Sequence, residues 1–200
     1  QGFLKFKEII EGEDVGIEVK IFPNAQVVGS DRDSIEAVTL GEIDMTSVAE
    51  LQFAPNIKEF YVFNADYLFD DLKDAKAKLD GEQGDLLKKA ADDKNMGVKV
   101  AAFFGSSGRI FWNNVREVNT LADFQGIKSR APENPINIAE LEALGCIPTP
   151  MAWNELYTGL QQGTVDGLVS SKMPIIQQGL IDVLKYATDT NHSYSINVIL

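Results

Sequence analysis

Two arginines stand where a side chain could bind a small anion. Arg109 and Arg130 each lie beside the expected end of a strand, and apolar residues or proline flank them rather than other charges. Open α/β sheets bind ligands at the carboxyl ends of their strands, and a guanidinium there can hold a carboxylate through two parallel hydrogen bonds. A structural ion pair is an equally good interpretation in a chain with 30 acidic residues. Position alone leaves both interpretations open.

Other candidate groups have simpler explanations. Gly105 to Gly108 follows an apolar run but lacks the Lys-Ser/Thr pair of a phosphate-binding loop, so we expect an ordinary turn there. Cys146, the single cysteine, follows a helix stop and is expected to be a small buried hydrophobe. We expect His192, the single histidine, to order a turn with Asn191. The sequence thus predicts no catalytic pair and no bound metal.

The overall composition excludes several classes of partner. The chain has 200 residues, and its 18 basic and 30 acidic side chains give a net charge of −12. Nucleic acid is not expected as a partner, because phosphate binding needs a basic surface. No stretch approaches the roughly 18 apolar residues of a membrane span, and the N-terminus shows no signal-peptide pattern. Both ends resemble interior points of a longer chain.

Alternating strand and helix patterns predict the elements that position these side chains. Residues 1–11 show helical spacing, Ser30 begins a helix that Gly41 ends, and 17–21 alternate as in a half-buried strand. Such alternation with short connections predicts an α/β fold with mixed, mainly parallel sheets flanked by helices. If the chain forms two lobes, it crosses near Gly105–Gly108 and returns in the last strand. We therefore expect lobe 1 over residues 1–106 plus 196–200 and lobe 2 over 107–195.

Two longer segments resemble a known family. They are IKSRAP from Ile127 to Pro132 and ALGCIPTPMAWNELYTGLQQGTVDG from Ala143 to Gly167. Together with shorter matches along the chain, such as Gly41 to Met45, they resemble the DctP-type solute receptors of TRAP transporters. The resemblance implies a two-lobe periplasmic-binding-protein-like fold without cofactor or metal. It also implies a monomeric periplasmic receptor that binds a small organic acid and delivers it to TRAP membrane permease subunits.

The resemblance also assigns roles to individual residues. Arg130 matches the arginine that holds the ligand carboxylate in this family, and Arg109 matches a frequent second arginine. Trp153 matches an aromatic residue of the binding site, although its spacing alone favours a core position. Ser170 stands where the family commonly has a ligand-contacting asparagine. Ser170 and the region from Glu50 to Phe53 are expected to recognise the rest of the ligand.

Two rival functions stay open at this point. A sensory ligand-binding domain for an organic acid would need the same pocket and a different partner. An enzyme on a similar two-lobe fold would need a general base or a cofactor lysine in the cleft, and no spacing in the sequence identifies one. We therefore predict a binding protein rather than an enzyme.

Overall fold

The computed structural model describes residues 2–23 and 27–200. Its α-helices and strands follow one another along the chain: α1 Gly2–Gly12, α2 Asp31–Leu40, β1 Ser47–Ala49, α3 Glu50–Phe53, α4 Leu72–Leu79, α5 Glu82–Lys94, β2 Ala102–Asn113, β3 Lys128–Ala131, α6 Pro135–Ala143, β4 Ile147–Pro150, α7 Leu156–Gln162, β5 Gly167–Ser170, α8 Lys172–Gln177 and β6 Tyr186–Ile199. Short 3-10 helices lie at Lys58–Asn64, Leu121–Phe124, Trp153–Glu155 and Leu180–Asp182. In these described residues, no helix combines the length and apolar character needed to cross a membrane.

The strands form one six-stranded sheet in the order β1-β6-β2-β5-β3-β4. The mixed α/β fold is therefore confirmed. Among the described strand pairs, β3 runs parallel to β4 and β5, whereas the three pairs that involve β2 or β6 are antiparallel. The expected excess of parallel strands is wrong, because the long antiparallel pair β2 and β6 forms the centre of the sheet.

Separate cores pack at the two ends of the long strands. The first core surrounds Phe53 and Phe60 and includes Ile196 and Val198 of β6. Two other cores consist of residues from the C-terminal end of β2 and from the chain after it. One surrounds Leu156 and Ile110, and the other surrounds Phe111. These cores support the expected two lobes, and the boundaries given above stay a prediction.

Local capping signals are found where the sequence predicts them. The Ser30 hydroxyl accepts a hydrogen bond from the Asp33 amide at 3.1 Å and so caps α2, which ends at Gly41 in a left-handed conformation. The first helix is also present, although none of the described residues of α1 is buried. These features depend on contacts within a few residues, which explains why sequence patterns reveal them.

Two local expectations are wrong. Residues 17–21 form no strand, and Ile17 is 58% exposed, because the alternating segment has no partner strand within the described residues. Gly105–Gly108 is not a turn but part of β2, where the register with β6 shifts on both sides of Gly108. A Cβ atom at Gly105 would lie 3.1 Å from Ile196 Cδ1 and 3.3 Å from Leu72 Cδ2. Close packing of these two side chains against the backbone therefore accounts for this glycine.

Candidate functional site

Ionisable side chains from distant parts of the chain line one cavity of about 20 Å³. They are Glu50, Asp66, Arg109, Arg130, Glu140 and His192. A space of this size holds roughly one water molecule. An organic acid of several carbons therefore needs the walls of the cavity to move apart before it can enter.

Arg130 lies at the carboxyl end of β3, as the sequence predicts. Its side chain is buried, with the residue 8% exposed, and Nε donates to the Met151 carbonyl oxygen at 2.9 Å. Its Cζ lies 5.6 Å from the centre of the Trp153 ring, a cation–π distance. Within the described chain, its Nη groups have no hydrogen-bond partner. The guanidinium is thus held from one side while its outer edge faces the cavity.

Burial affects the protonation of Arg130 without removing its charge. Desolvation and the nearby charge of Arg109 lower its pKa to about 10, while Asp31 and Glu133 act in the opposite direction. A pKa of about 10 leaves the guanidinium protonated at neutral pH. Two guanidinium groups that line one cavity repel each other, and a bound anion would relieve that repulsion.

Arg109 lies in β2 and is already paired with an acid. Its Nη2 donates to Glu50 Oε1 at 3.1 Å, and the side chains of Arg109 and Glu50 are 14% and 1% exposed. Glu50 begins α3, directly after β1. The Asn134 Nδ2 group donates to the Leu51 carbonyl oxygen at 3.1 Å, which fixes this helix against the segment before α6. The structure therefore contains the ion pair that sequence reasoning left open, and the paired arginine still lines the cavity.

Burial raises the pKa of Glu50 to about 7, and the charge of Arg109 opposes that rise. A carboxyl group with a raised pKa binds more protons in the folded state, so stability falls as pH rises from about 4.5 to about 7. We expect the free energy of unfolding to fall more steeply between pH 5 and pH 8 for the wild type than for Glu50→Gln, by up to about 3 kcal/mol. Urea denaturation at both pH values measures this difference. Parallel pH profiles would show that Glu50 does not titrate in this range.

Asp66, Glu140 and His192 form a second group at the cavity. One ligand atom from each lies within 4.8 Å of the others. The His192 Nδ1 atom is 2.8 Å from Thr190 Oγ1, and that hydroxyl also lies 3.3 Å from the Arg109 carbonyl oxygen. The His192 Nε2 atom lies 3.4 Å from Glu140 Oε1.

These three side chains are of the types that bind a transition metal. Burial and Asp66 raise the pKa of Glu140, and burial lowers the pKa of His192. A proton shared between Glu140 Oε1 and His192 Nε2 would satisfy both atoms. The arrangement therefore does not require a metal.

Trp153 and Ser170, the other two predicted site residues, are not lining residues of this cavity. Trp153 is half-buried and stacks near Arg130, but it is not a lining residue of the cavity. Ser170 is buried, its carbonyl oxygen accepts a hydrogen bond from Trp112 Nε1, and its neighbour Val169 lines the cavity instead. Ligand contacts by these two residues stay predictions. The structure brings Arg109 and Arg130 together as expected.

The single cysteine and the single histidine have different environments. Cys146 is buried beside Phe124, and burial raises the pKa of its thiol to about 11, so the expected role as a small core residue is confirmed. His192 lies in β6 and lines the cavity, so its expected place in a turn is wrong. The side chain of Asn191 lies outside the described residues.

Sequence patterns do not predict most of the acidic side chains at this site. Glu50 falls within the region expected to recognise the ligand, whereas Asp66 and Glu140 have no local pattern that marks them.

Comparison with known proteins identifies the family. The profile of the DctP family, described as bacterial extracellular solute-binding protein, family 7, matches residues 1–200. The chain belongs to family 7. The chain spans 56–58% of the length of the curated relatives it matches first.

One family 7 relative is the C4-dicarboxylate-binding periplasmic protein DctP of Rhodobacter capsulatus, which is 32% identical over 97% of this chain and 58% of its own. A family 7 crystal structure, the sugar acid binding protein of Advenella mimigardefordensis in complex with galactonate, has a TM-score of 0.91 at 31% identity and covers 97% of this chain and 62% of its own. The TRAP periplasmic solute-binding protein of a Polaromonas species, bound to D-erythronate, has a TM-score of 0.88 at 31% identity, covering 96% and 62%. The relatives named here are binding proteins.

Proposed function

We propose that this protein is a periplasmic receptor that binds a small organic acid between two lobes and delivers it to TRAP membrane permease subunits, without catalysing a reaction. The observation that carries this proposal is the buried guanidinium of Arg130, whose outer edge faces a cavity that Arg109 shares. A carboxylate that leaves water needs both charge and hydrogen-bond donors to replace its hydration. A guanidinium supplies both in one planar group.

We infer a role for each site residue. Arg130 binds the ligand carboxylate, and Arg109, already paired with Glu50 at 3.1 Å, adds a second contact. Trp153 holds the Arg130 guanidinium from one side at 5.6 Å and borders the apolar part of the ligand as the cavity widens. Ser170 contributes a hydroxyl from β5. The named relatives that bind galactonate, D-erythronate and C4-dicarboxylates support a carboxylate as the ligand class.

Thermal unfolding in the presence of single acids tests this function. We expect at least one of D-galactonate, D-erythronate and succinate to raise the melting temperature. A ligand at 100 times its dissociation constant adds about 2.7 kcal/mol of stability. Glycerol and D-galactose, which lack a carboxylate, serve as controls and should give no shift. Equal shifts with D-galactose and D-galactonate would contradict carboxylate recognition.

A sensory ligand-binding domain would show the same binding and differ in its partner. Co-purification with TRAP permease subunits from membranes, in the presence and absence of the acid, separates the two functions. Chemical conversion of a bound acid would instead identify an enzyme.

A further inference from the structure

Asp66, Glu140 and His192 bring three metal-ligating side chains together at the cavity. One ligand atom of each lies within 4.8 Å of the others. Asp66 precedes α4, Glu140 lies on α6 and His192 lies in β6, so the three side chains meet only in the folded chain. All three are lining residues of the cavity, and Asp66 is exposed. An ion from solvent can therefore reach this cluster.

His192 presents one ring nitrogen to the acids and the other to a hydroxyl. Its Nε2 atom is 3.4 Å from Glu140 Oε1, and its Nδ1 atom is 2.8 Å from Thr190 Oγ1. Two ligands that each lie about 2.1 Å from a tetrahedral Zn²⁺ ion are about 3.4 Å apart. A histidine that binds a metal usually has its other ring nitrogen held by a hydrogen bond, and Thr190 supplies that contact. The histidine is thus already oriented to share one ion with Glu140.

Asp66 provides the third ligand. Within the described chain its carboxylate forms no salt bridge, and because the residue is exposed its side chain can turn toward His192 Nε2 and Glu140 Oε1. A proton shared between Glu140 and His192 would satisfy those two atoms and leave the charge of Asp66 without a partner. A divalent cation can bind all three side chains.

The charges around the cluster also favour a cation. Asp66 and Glu140 are two acids at short range, and a divalent ion would neutralise both. The charge of Arg109 also acts on Glu140 and His192 and disfavours a cation. However, Arg109 pairs with Glu50 at 3.1 Å, and that acid offsets its charge. The cluster therefore keeps the negative charge that a metal ion needs.

We propose that Asp66, Glu140 and His192 bind a divalent transition-metal ion of the Zn²⁺ type, through His192 Nε2 and one carboxylate oxygen of each acid. An imidazole nitrogen beside carboxylates suits Zn²⁺, whereas Ca²⁺ prefers oxygen ligands alone. The ion connects α6 and β6 to the segment before α4. This inference goes beyond the proposed function, because the cluster does not include Arg130 and a carboxylate can bind there without the metal.

Titration of the protein, without any added histidine tag, with ZnCl₂ and with CaCl₂ tests this site. We expect one Zn²⁺ ion to bind per chain in calorimetry and Ca²⁺ to bind at least about tenfold more weakly. His192 is the only histidine of the chain, so its ring signals in nuclear magnetic resonance spectra report directly on ligation. We expect ZnCl₂ to shift the signal of Nε2. Binding of Zn²⁺ that leaves the ring signals unchanged would overturn the inference.

Variants of the cluster separate this site from other acidic groups. Thr190→Val removes the hydroxyl beside Nδ1 but keeps a branched side chain, and we expect Zn²⁺ to bind about 10–100-fold more weakly to it. His192→Ala removes a ligand itself and should weaken binding at least as much. Glu140→Gln should also weaken it, and the matched control is Glu36→Gln, which changes an exposed acid on α2 and should leave the affinity for Zn²⁺ unchanged.

Three results would contradict the proposed metal site while the proposed function still stands. One is equal affinity of His192→Ala and the wild type for Zn²⁺, which would place the ion on other acids. Another is Ca²⁺ binding as tight as that of Zn²⁺, and the third is no Zn²⁺ binding at all. The titrations of the wild type decide the matter even if His192→Ala does not fold, and binding of organic acids is measured separately without metal.

Discussion

Replacement of Arg130 by alanine is expected to weaken binding of D-galactonate by about 3–5 kcal/mol, because it leaves a buried carboxylate without its cation. This corresponds to a loss of roughly 150-fold to 5,000-fold in affinity. The effect is large because Arg130 is buried, is held by Met151 and Trp153, and keeps its outer edge toward the cavity. Calorimetric titration of both proteins with D-galactonate measures it.

Two further variants separate the charge of Arg130 from its geometry. Arg130→Lys keeps the charge but not the planar pair of donors, so its affinity should fall between those of the wild type and the alanine variant. Arg32→Ala removes an exposed arginine on α2 and is the matched control, with affinity unchanged. Unchanged affinity in Arg130→Ala, with thermal unfolding showing a folded protein, would defeat the assignment of the carboxylate to this residue.

Replacement of Phe60 by alanine is expected to have the largest effect on stability. Its ring is fully buried and lies 5.0 Å from the ring of Phe53 and 6.1 Å from that of Phe103, measured between centroids. Truncation of a buried phenylalanine to alanine removes about 3–5 kcal/mol of stability through lost burial and the cavity left behind. Urea denaturation of the variant and the wild type at one pH measures the loss.

Phe60 also packs near one wall of the cavity. The same 3-10 helix contains Phe63, whose side chain is one wall of the cavity, and the ring centroids of Phe60 and Phe63 are 6.0 Å apart. Phe22→Ala is the control, since Phe22 is 59% exposed and its loss should change stability by no more than about 0.5 kcal/mol. Similar losses in the two variants would show that the first core is not packed around Phe60.

Sequence reasoning succeeds here where a feature depends on near neighbours. The cap of α2 at Ser30 needs only the Asp33 amide three residues later. Arg130 lies in the short segment 127–131, which Pro132 ends, and this places it near a strand end without knowledge of the rest of the fold. Arg109, in contrast, lies within β2 and not at a strand end, so its expected position is wrong.

The failures have a common physical cause. Residues 17–21 alternate as a strand does, but a strand also needs a partner, and alternation does not supply one. Gly105 and Gly108 suggest a turn, yet small residues also permit close packing within a long strand, as Ile196 and Leu72 show at Gly105. Glu50 and Glu140 meet at the cavity from α3 and α6, a convergence that only tertiary structure creates.

The interrupted register between β2 and β6 has a mechanical consequence for the small cavity. These two strands pair from Asn113–Tyr186 to Ala102–Ile199, so the cores at either end share one ribbon of backbone hydrogen bonds. The ladder is already irregular from Gly105 to Ile110, and an irregular ladder bends with less loss of hydrogen bonding than a regular one. Arg109 sits inside that stretch. Bending of β2 and β6 would therefore move Arg109 together with the walls of the cavity. The width of the cavity and the position of the Arg109 charge would then change together.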